Sequence, residues 1–415
     1  MKPQPTEIPL SSSKGGSRRN TQKYKRKQTE ILATAARVFN ENGLKDTTLA
    51  TLAASVDMTF ANLTYYFKRK DDLVVACYRY AFGELRQIIT QAQQASTSYE
   101  RLRTFLELYF AFQKEINQEK VNPLLDFGYI TSLSDPQRSE LNEDYGNYFR
   151  SLRELIRPDH LDTVNKHKLN SYAFYLTAQL NWFGYWLALN QHQDYVRIAN
   201  RLFDILAIGI GPENFKWPKP ESLHYEALSK PKQIFLKAAT ELINMSGYRG
   251  ASVERIAARL GRTKGSFYHH YKNKDELVAA CYERTFAMID DTLARAGKAG
   301  NHRDRINNAI SNLVRFQLDP SGPLLHTNGL MALTSSKRVQ FENKFQQLSD
   351  NLTNIVIDGI IDDSIRPIDP IIAALMLIPT IFSASELSSW FPEIASPENA
   401  AELFVQPFFK GILQY

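Results

Sequence analysis

The sequence predicts an all-α protein made of two like halves, and three observations predict it. Apolar residues recur at helical spacing through most of the chain, and the alternation that marks a strand is nearly absent. The chain also matches itself when shifted by 204 positions, residues 31–82 falling on 235–286 without a gap. In that overlap 16 of 52 positions are identical, where unrelated segments would share about three or four. Gly43 pairs with Gly247, Ala53-Ala54 with Ala257-Ala258, Lys70-Asp71 with Lys274-Asp275, and Cys77-Tyr78 with Cys281-Tyr282. Downstream echoes, Phe112-Gln113 with Phe316-Gln317 and Trp186 with Trp390, make the repeat unit about 200 residues.

Each element follows in order. Residues 1–26 are polar, basic and rich in Pro, Gly and Ser, and read as a disordered arm; the stretch from Lys14 to Lys27 holds seven Lys or Arg and no acid. A first helix buries Ile31, Leu32, Ala35, Val38 and Phe39, matched by Phe235, Leu236, Ala239, Leu242 and Ile243. Gly43 and Gly247 stop it, because a helix closes cheaply on a residue tolerant of positive φ. A short second helix is capped by Thr48 or Ser252 and turns Leu49, Leu52, Ala53 and Val56 (Val253, Ile256, Ala257 and Leu260) inward. After a turn at Asp57-Met58 or Gly261-Arg262, Thr59 or Thr263 caps a third helix. A fourth starts near Asp71 or Asp275; Asn273 with Glu276 predicts a capping box there, whereas Arg69 cannot cap.

The divisions that result are the arm (1–26), a first helix-turn-helix domain (27–90), a first C-terminal helical domain (91–212), a proline-dense linker (213–230), a second helix-turn-helix domain (231–294) and a second C-terminal helical domain (295–415). Two short helices joined by a tight turn behind a stabilising helix describe a DNA reader, since the second can enter a major groove about 12 Å wide.

The run "AATELINMSGYRGASVERIAARLGRTKGSFYHHYKNKDELVAACYE" resembles the DNA-binding headpiece of the TetR family of bacterial transcriptional regulators. The likeness rests on Ser252-Val253, Ile256-Ala257, Gly261, Thr263-x-Gly265-Ser266-x-Tyr268-x-His270 and Lys272-x-Lys274-Asp275-Glu276-Leu277. The first copy resembles the same pattern with Asp57 for the turn glycine, Thr64 for the tyrosine and Tyr66 for the histidine. The resemblance implies two TetR-like units in one chain, each a three-helix headpiece followed by a helical bundle. It implies double-stranded DNA as partner, with Phe60, Ala61 and Asn62, and Lys264, Gly265 and Ser266, facing bases. Thr48, Thr59, Tyr65, Tyr66 and Lys70, with Ser252, Thr263, Tyr268, His269 and Lys274, are then expected at the DNA surface, mainly on phosphates. It further implies a repressor working as an intramolecular pseudo-dimer, a small-molecule effector between the C-terminal helices, and further self-association as an open possibility.

Charge agrees independently. Residues 1–90 carry 15 basic and 8 acidic side chains and residues 230–298 carry 13 and 7, so a chain of net +6 is −7 elsewhere. "SYAFYLTAQLNWFGYWLALN" (171–190) places seven aromatics in 16 residues, which serve either a helix interface or a pocket lined by Tyr175, Trp182, Phe183, Trp186 and Trp390. His269 and His270 point about 100° apart on a helix, so no metal site is expected, and no cofactor or enzyme motif is present. Cys77 and Cys281 read as small buried hydrophobes in a cytoplasmic protein, and "IIAALMLIP" (371–379) is too short to cross a membrane. The competing reading is a helical interaction protein in which only the second headpiece, or neither, meets DNA.

Overall fold

A computed structural model describes residues 22–44, 47–127, 130, 133–159, 165–189, 194–213, 215–225, 231–297, 300–327, 330, 333–387 and 396–414. Among them there is no strand, and no helix is long and apolar enough to cross a membrane. The chain folds as two compact units, residues 1–155 with 187–196, and residues 156–186 with 197–415. The division departs from the repeat boundary, because most of the seventh helix and the eighth pack with the second half.

In the first unit α1 (Gln22–Asn42), α2 (Leu49–Ser55) and α3 (Phe60–Tyr66) lead into α4 (Lys70–Ala92), followed by α5 (Ser98–Asn117) and α6 (Asp135–Leu155). Because α1 begins at Gln22, Lys23, Lys25 and Arg26 are helical and not part of an arm; residues 1–21, with the rest of that expected arm, lie outside the described residues. The expected apolar face is buried, with Phe39 and Leu63 fully enclosed. Gly43 stops α1 at φ 79°, its N–H bonded to the Phe39 carbonyl at 2.8 Å. Behind the headpiece Phe82 packs against Phe127, Tyr145 and Tyr148 at ring separations of 5.4 to 5.8 Å, stacked on Tyr148 and edge-on to Tyr145.

The second unit repeats this plan with α9 (Pro231–Gly250, interrupted at Gly247), α10 (Val253–Arg259), α11 (Lys264–Tyr268), α12 (Lys274–Ala296), α13 (His302–Leu318) and α14 (Ser335–Ile361). To it belong α7 (Lys166–Leu189) as far as Trp186, α8 (Tyr195–Ile208) from Arg197, α15 (Pro370–Phe382), and a last helix α16. The last runs as Pro397–Ala400, a π-helical turn Ala401–Val405 and Gln406–Lys410. The repeated cysteines hold equivalent places: each buried thiol donates to a first-helix carbonyl, Cys77 to Leu32 and Cys281 to Leu236, both at 3.6 Å. Burial pushes both thiols up, Cys281 to about 12.

Within the second unit the ends of α8 and α16 pair reciprocally. Ile210 N–H donates to Phe408 O at 3.1 Å and Gly211 N–H to Phe409 O at 3.0 Å, while Ile412 N–H donates to Leu206 O at 2.7 Å. Ile210 and Ile412, like Leu206 and Phe408, lie 202 positions apart, the shift that carries α8 (195–208) onto α16 (397–410), so the donor in one half is the counterpart of the donor in the other. Gly209 and Gly411, at φ 72° and 83°, permit the approach. A Cβ on Gly209 would meet Phe409 O at 2.2 Å, and one on Gly411 would meet Ala207 O at 2.3 Å.

The described part of the segment expected as a linker, residues 215–225, is strapped along α13. Trp217 Nε1 donates to Asn307 Oδ1 at 2.9 Å, and Asn312 brackets the chain by accepting from Leu223 N–H at 2.8 Å and donating to Glu221 O at 2.7 Å. Arg315 donates to Glu221 O and Pro220 O, and Arg295 to His224 O. In α5 the corresponding positions are Arg103, Leu108 and Ala111, which offer no such ladder.

Candidate nucleic-acid interface

Each headpiece presents a short third helix held from behind and bare in front. Thr48 Oγ1 accepts from Thr51 N–H at 3.1 Å and Ser252 Oγ from Arg255 N–H at 3.2 Å, which starts α2 and α10 where expected. The turns that follow are superimposable in kind: Asp57 at φ 52° and Gly261 at φ 60°, with Met58 N–H to Ala53 O and Arg262 N–H to Ala257 O, both 2.9 Å. Asp57 therefore adopts the glycine conformation, at about 1 kcal/mol. Thr59 Oγ1 accepts from Asn62 N–H at 3.2 Å and Thr263 Oγ1 from Ser266 N–H at 3.4 Å. Leu63 and Phe267, both wholly buried, anchor the helices, leaving Phe60, Ala61 and Asn62, and Lys264 and Gly265, exposed. Ser266 is half-buried.

The triplets differ in what surrounds them. Lys264 Nζ lies 2.5 Å from Glu254 Oε1 on α10 and 6.0 Å from the Tyr268 ring. The Lys264 ammonium holds the Glu254 carboxyl down near 2. Glu254 is a residue the sequence reading passed over. Phe60 is 56% exposed, and the position corresponding to Glu254 is Ala50.

Several expected phosphate ligands have other work in the free protein. Lys70 Nζ donates to Leu44 O at 2.8 Å, and Lys274 Nζ to Tyr248 O. In the free protein both half-buried ammonium groups thus tie down the backbone just past the first-helix stop at Gly43 or Gly247. Tyr66 stacks on Tyr24 at 4.8 Å with Tyr65 edge-on to both. His269 stays exposed beside His270, while His270 tilts onto Phe235 at 5.4 Å. Lys68 and Lys272 are identical between the copies and exposed just after each third helix.

The expected capping box at α12 is formed differently. Asn273 Oδ1 accepts from Glu276 N–H at 2.8 Å, but the Glu276 carboxylate receives Lys272 N–H at 2.8 Å and not that of Asn273. In the first copy Arg69 does not cap; Asp72 accepts its N–H at 3.2 Å and pairs with its guanidinium at 2.6 Å. A second pair of residues escaped the sequence reading. Asn40 donates to Leu124 O at 2.8 Å and accepts from Asp126 N–H at 3.0 Å, and Asn244 does the same with Leu324 and His326 at the same distances. With Tyr78 and Tyr282, whose hydroxyls donate to Asp126 O and His326 O, they tie each headpiece to the loop behind it.

Of the aromatic set, Tyr175 and Phe183 are wholly buried. Tyr175 meets Phe404 edge-on at 5.6 Å, and its neighbour Gln179 donates to Met376 O and Thr380 Oγ1. Phe183 lies against Trp186 at 6.2 Å, Trp182 is half-buried, and Trp390 lies outside the described residues. Among the described residues no group of three or more His, Cys, Asp or Glu could hold a metal ion.

The family model of bacterial regulatory proteins, tetR family, matches twice, at residues 31–77 and 235–281, the same 204-residue offset. The Transposon Tn10 TetC protein of Escherichia coli is 28% identical over 101 residues, covering 24% of this chain and 51% of that protein. The HTH-type transcriptional repressor AcnR of Corynebacterium diphtheriae is 29% identical over 79 residues, covering 19% of this chain and 42% of that one. The chain thus spans about half the length of the curated relatives it matches. Among solved structures apo AibR aligns over 44% of this chain and 99% of its own, with 22% identity and a TM-score of 0.36. With both matches falling on the two geometrically equivalent headpieces, the chain is a tandem of two TetR-like units, each opening with a TetR-family helix-turn-helix domain.

Proposed function

We propose that this chain is a DNA-binding transcriptional repressor in which the two units act as a covalent pseudo-dimer on one operator with unlike half-sites. The observation that carries the reading is the reciprocal pairing of α8 with α16. A contact in which residue i meets j while the counterpart of i meets that of j is the signature of a two-fold interface, here made between halves of one chain. Two-fold regulators of this kind set recognition helices about 34 to 36 Å apart, one turn of DNA. The exposed Phe60, Ala61 and Asn62 at the start of α3, Lys264 and Gly265 at the start of α11, and the positive charge of both headpieces supply the readers. The curated relative AcnR is named a transcriptional repressor, which favours that sign of control. A small-molecule effector acting on the C-terminal helices, and a cytoplasmic location, complete the reading.

Asn62→Ala and Lys264→Ala, tested separately in the full chain, decide between this and the reading with one working headpiece. Fluorescence anisotropy on a duplex enriched from random DNA should show each variant weakened about fivefold or more. An Asn62→Ala variant with unchanged affinity would leave the first headpiece without a reading role.

A further inference from the structure

We infer that Glu254 sets the base specificity of the second headpiece, so that its half-site presents a G·C pair to Lys264 and Glu254, whereas the first headpiece reads a thymine through Phe60. The inference rests on the DNA-binding reading above and adds what each reader recognises. Glu254 and Lys264 lie on successive helices, 2.5 Å apart, with side chains 58% and 54% exposed. An ion pair so open to water adds little to folding, and a carboxylate on a surface meant for phosphates repels them. Its presence at the tip of a reader needs a reason other than stability or general affinity.

Discrimination supplies that reason. Lys264 is already paired, so it gains by turning to DNA only where the new acceptors match the carboxylate it leaves. In the major groove guanine offers O6 and N7 together, while adenine sets a donor beside its N7. The released carboxylate is matched in turn by the N4 amino group of cytosine. A G·C pair satisfies both side chains at once; an A·T pair offers the carboxylate the adenine N6 amino group but gives Lys264 no O6 and N7 acceptors side by side, so the lysine stays with Glu254. The partner also lowers binding to arbitrary DNA, because Lys264 is not available as a general phosphate ligand.

The first headpiece has neither charge. Positions 254 and 264 correspond to Ala50 and Phe60, so the pair differs as a pair between the copies. Phe60 is 56% exposed on the first turn of α3 with Asn62 beside it. The one apolar group on the major-groove edge of the bases is the thymine methyl, and the side chain suited to adenine N6 and N7 is an amide. Phe60 with Asn62 therefore fits an A·T-containing half-site.

The test uses the full chain and a duplex enriched by it from random DNA. One half of the enriched site should hold G·C and the other thymine. Glu254→Gln, an exposed and foldable change, should tighten binding to a random-sequence duplex several-fold and cut the preference for guanine over adenine in its half-site by about tenfold. Replacing thymine by uracil in the other half should weaken wild type and leave Phe60→Ala unaffected. Unchanged discrimination in Glu254→Gln, or indifference of wild type to uracil, overturns the inference while leaving DNA binding intact. Failure to enrich any duplex overturns the underlying reading as well.

Discussion

Alanine at Gly209 should destabilise the second unit far more than alanine at a glycine of like conformation in open space. At φ 72° the new side chain enters the left-handed region, which is unfavourable by about 1 to 2 kcal/mol. Its Cβ would also stand 2.2 Å from Phe409 O, a backbone atom, so α8 and α16 must separate. That displaces the Ile210 and Gly211 N–H groups from Phe408 O and Phe409 O in a buried seam, at roughly 1 to 3 kcal/mol each. The sum is roughly 3 to 8 kcal/mol. Gly247, at φ 67° with nothing within 4 Å of its would-be Cβ, carries the first term alone, about 1 to 2 kcal/mol. The described tryptophans, Trp182, Trp186 and Trp217, lie in the second unit, so urea unfolding followed by tryptophan fluorescence reports on that unit. Gly411→Ala should match Gly209→Ala, because its Cβ meets Ala207 O at 2.3 Å. Equal midpoints for Gly209→Ala and Gly247→Ala would refute the reasoning that this seam is closely packed backbone.

Two further outcomes follow from the same unit. Asn312→Ala removes both bonds that bracket residues 221–223, so it should destabilise by roughly 2 to 4 kcal/mol and expose that stretch to limited proteolysis that spares wild type. His326, half-buried with its ring nitrogen 2.8 Å from Ser385 Oγ, is held neutral by desolvation, its pKa pulled from 6.5 down to about 4. Only the unfolded chain takes that proton between pH 6.5 and 4, so the stability is present above 6.5 and lost as pH falls, by roughly 3 kcal/mol at the lower limit. His326→Gln should flatten this part of the stability profile; an unchanged slope would place the titration elsewhere.

The headpieces were legible in the sequence because their determinants are local. A cap three residues from its N–H, a glycine at the end of a helix and an apolar face at helical spacing need no knowledge of the rest of the chain. Thr48, Thr59, Gly43, Gly247 and the left-handed turn at Asp57 all stand where local chemistry puts them. What escaped depends on partners distant in sequence. The fit of Gly209 against Phe409 joins residues 200 positions apart, and no pattern around "AIGIG" announces it. The proline-dense segment reads as a linker by composition, and only the asparagines of α13, some 90 residues on, turn it into a strap. Lys70 and Lys274 were sought on the surface because they are basic and repeated; repetition equally marks a side chain that holds a loop. Glu254 was missed for the opposite reason, since an acid is not sought where phosphates bind.

The number of chains on one operator tests the central claim most directly. Native mass spectrometry of the full-length protein on a duplex enriched from random DNA should give one chain per duplex, with protection extending over two unlike half-sites about one turn apart. Two chains per duplex on a perfect palindrome would contradict the account, because like units of separate chains would then be pairing.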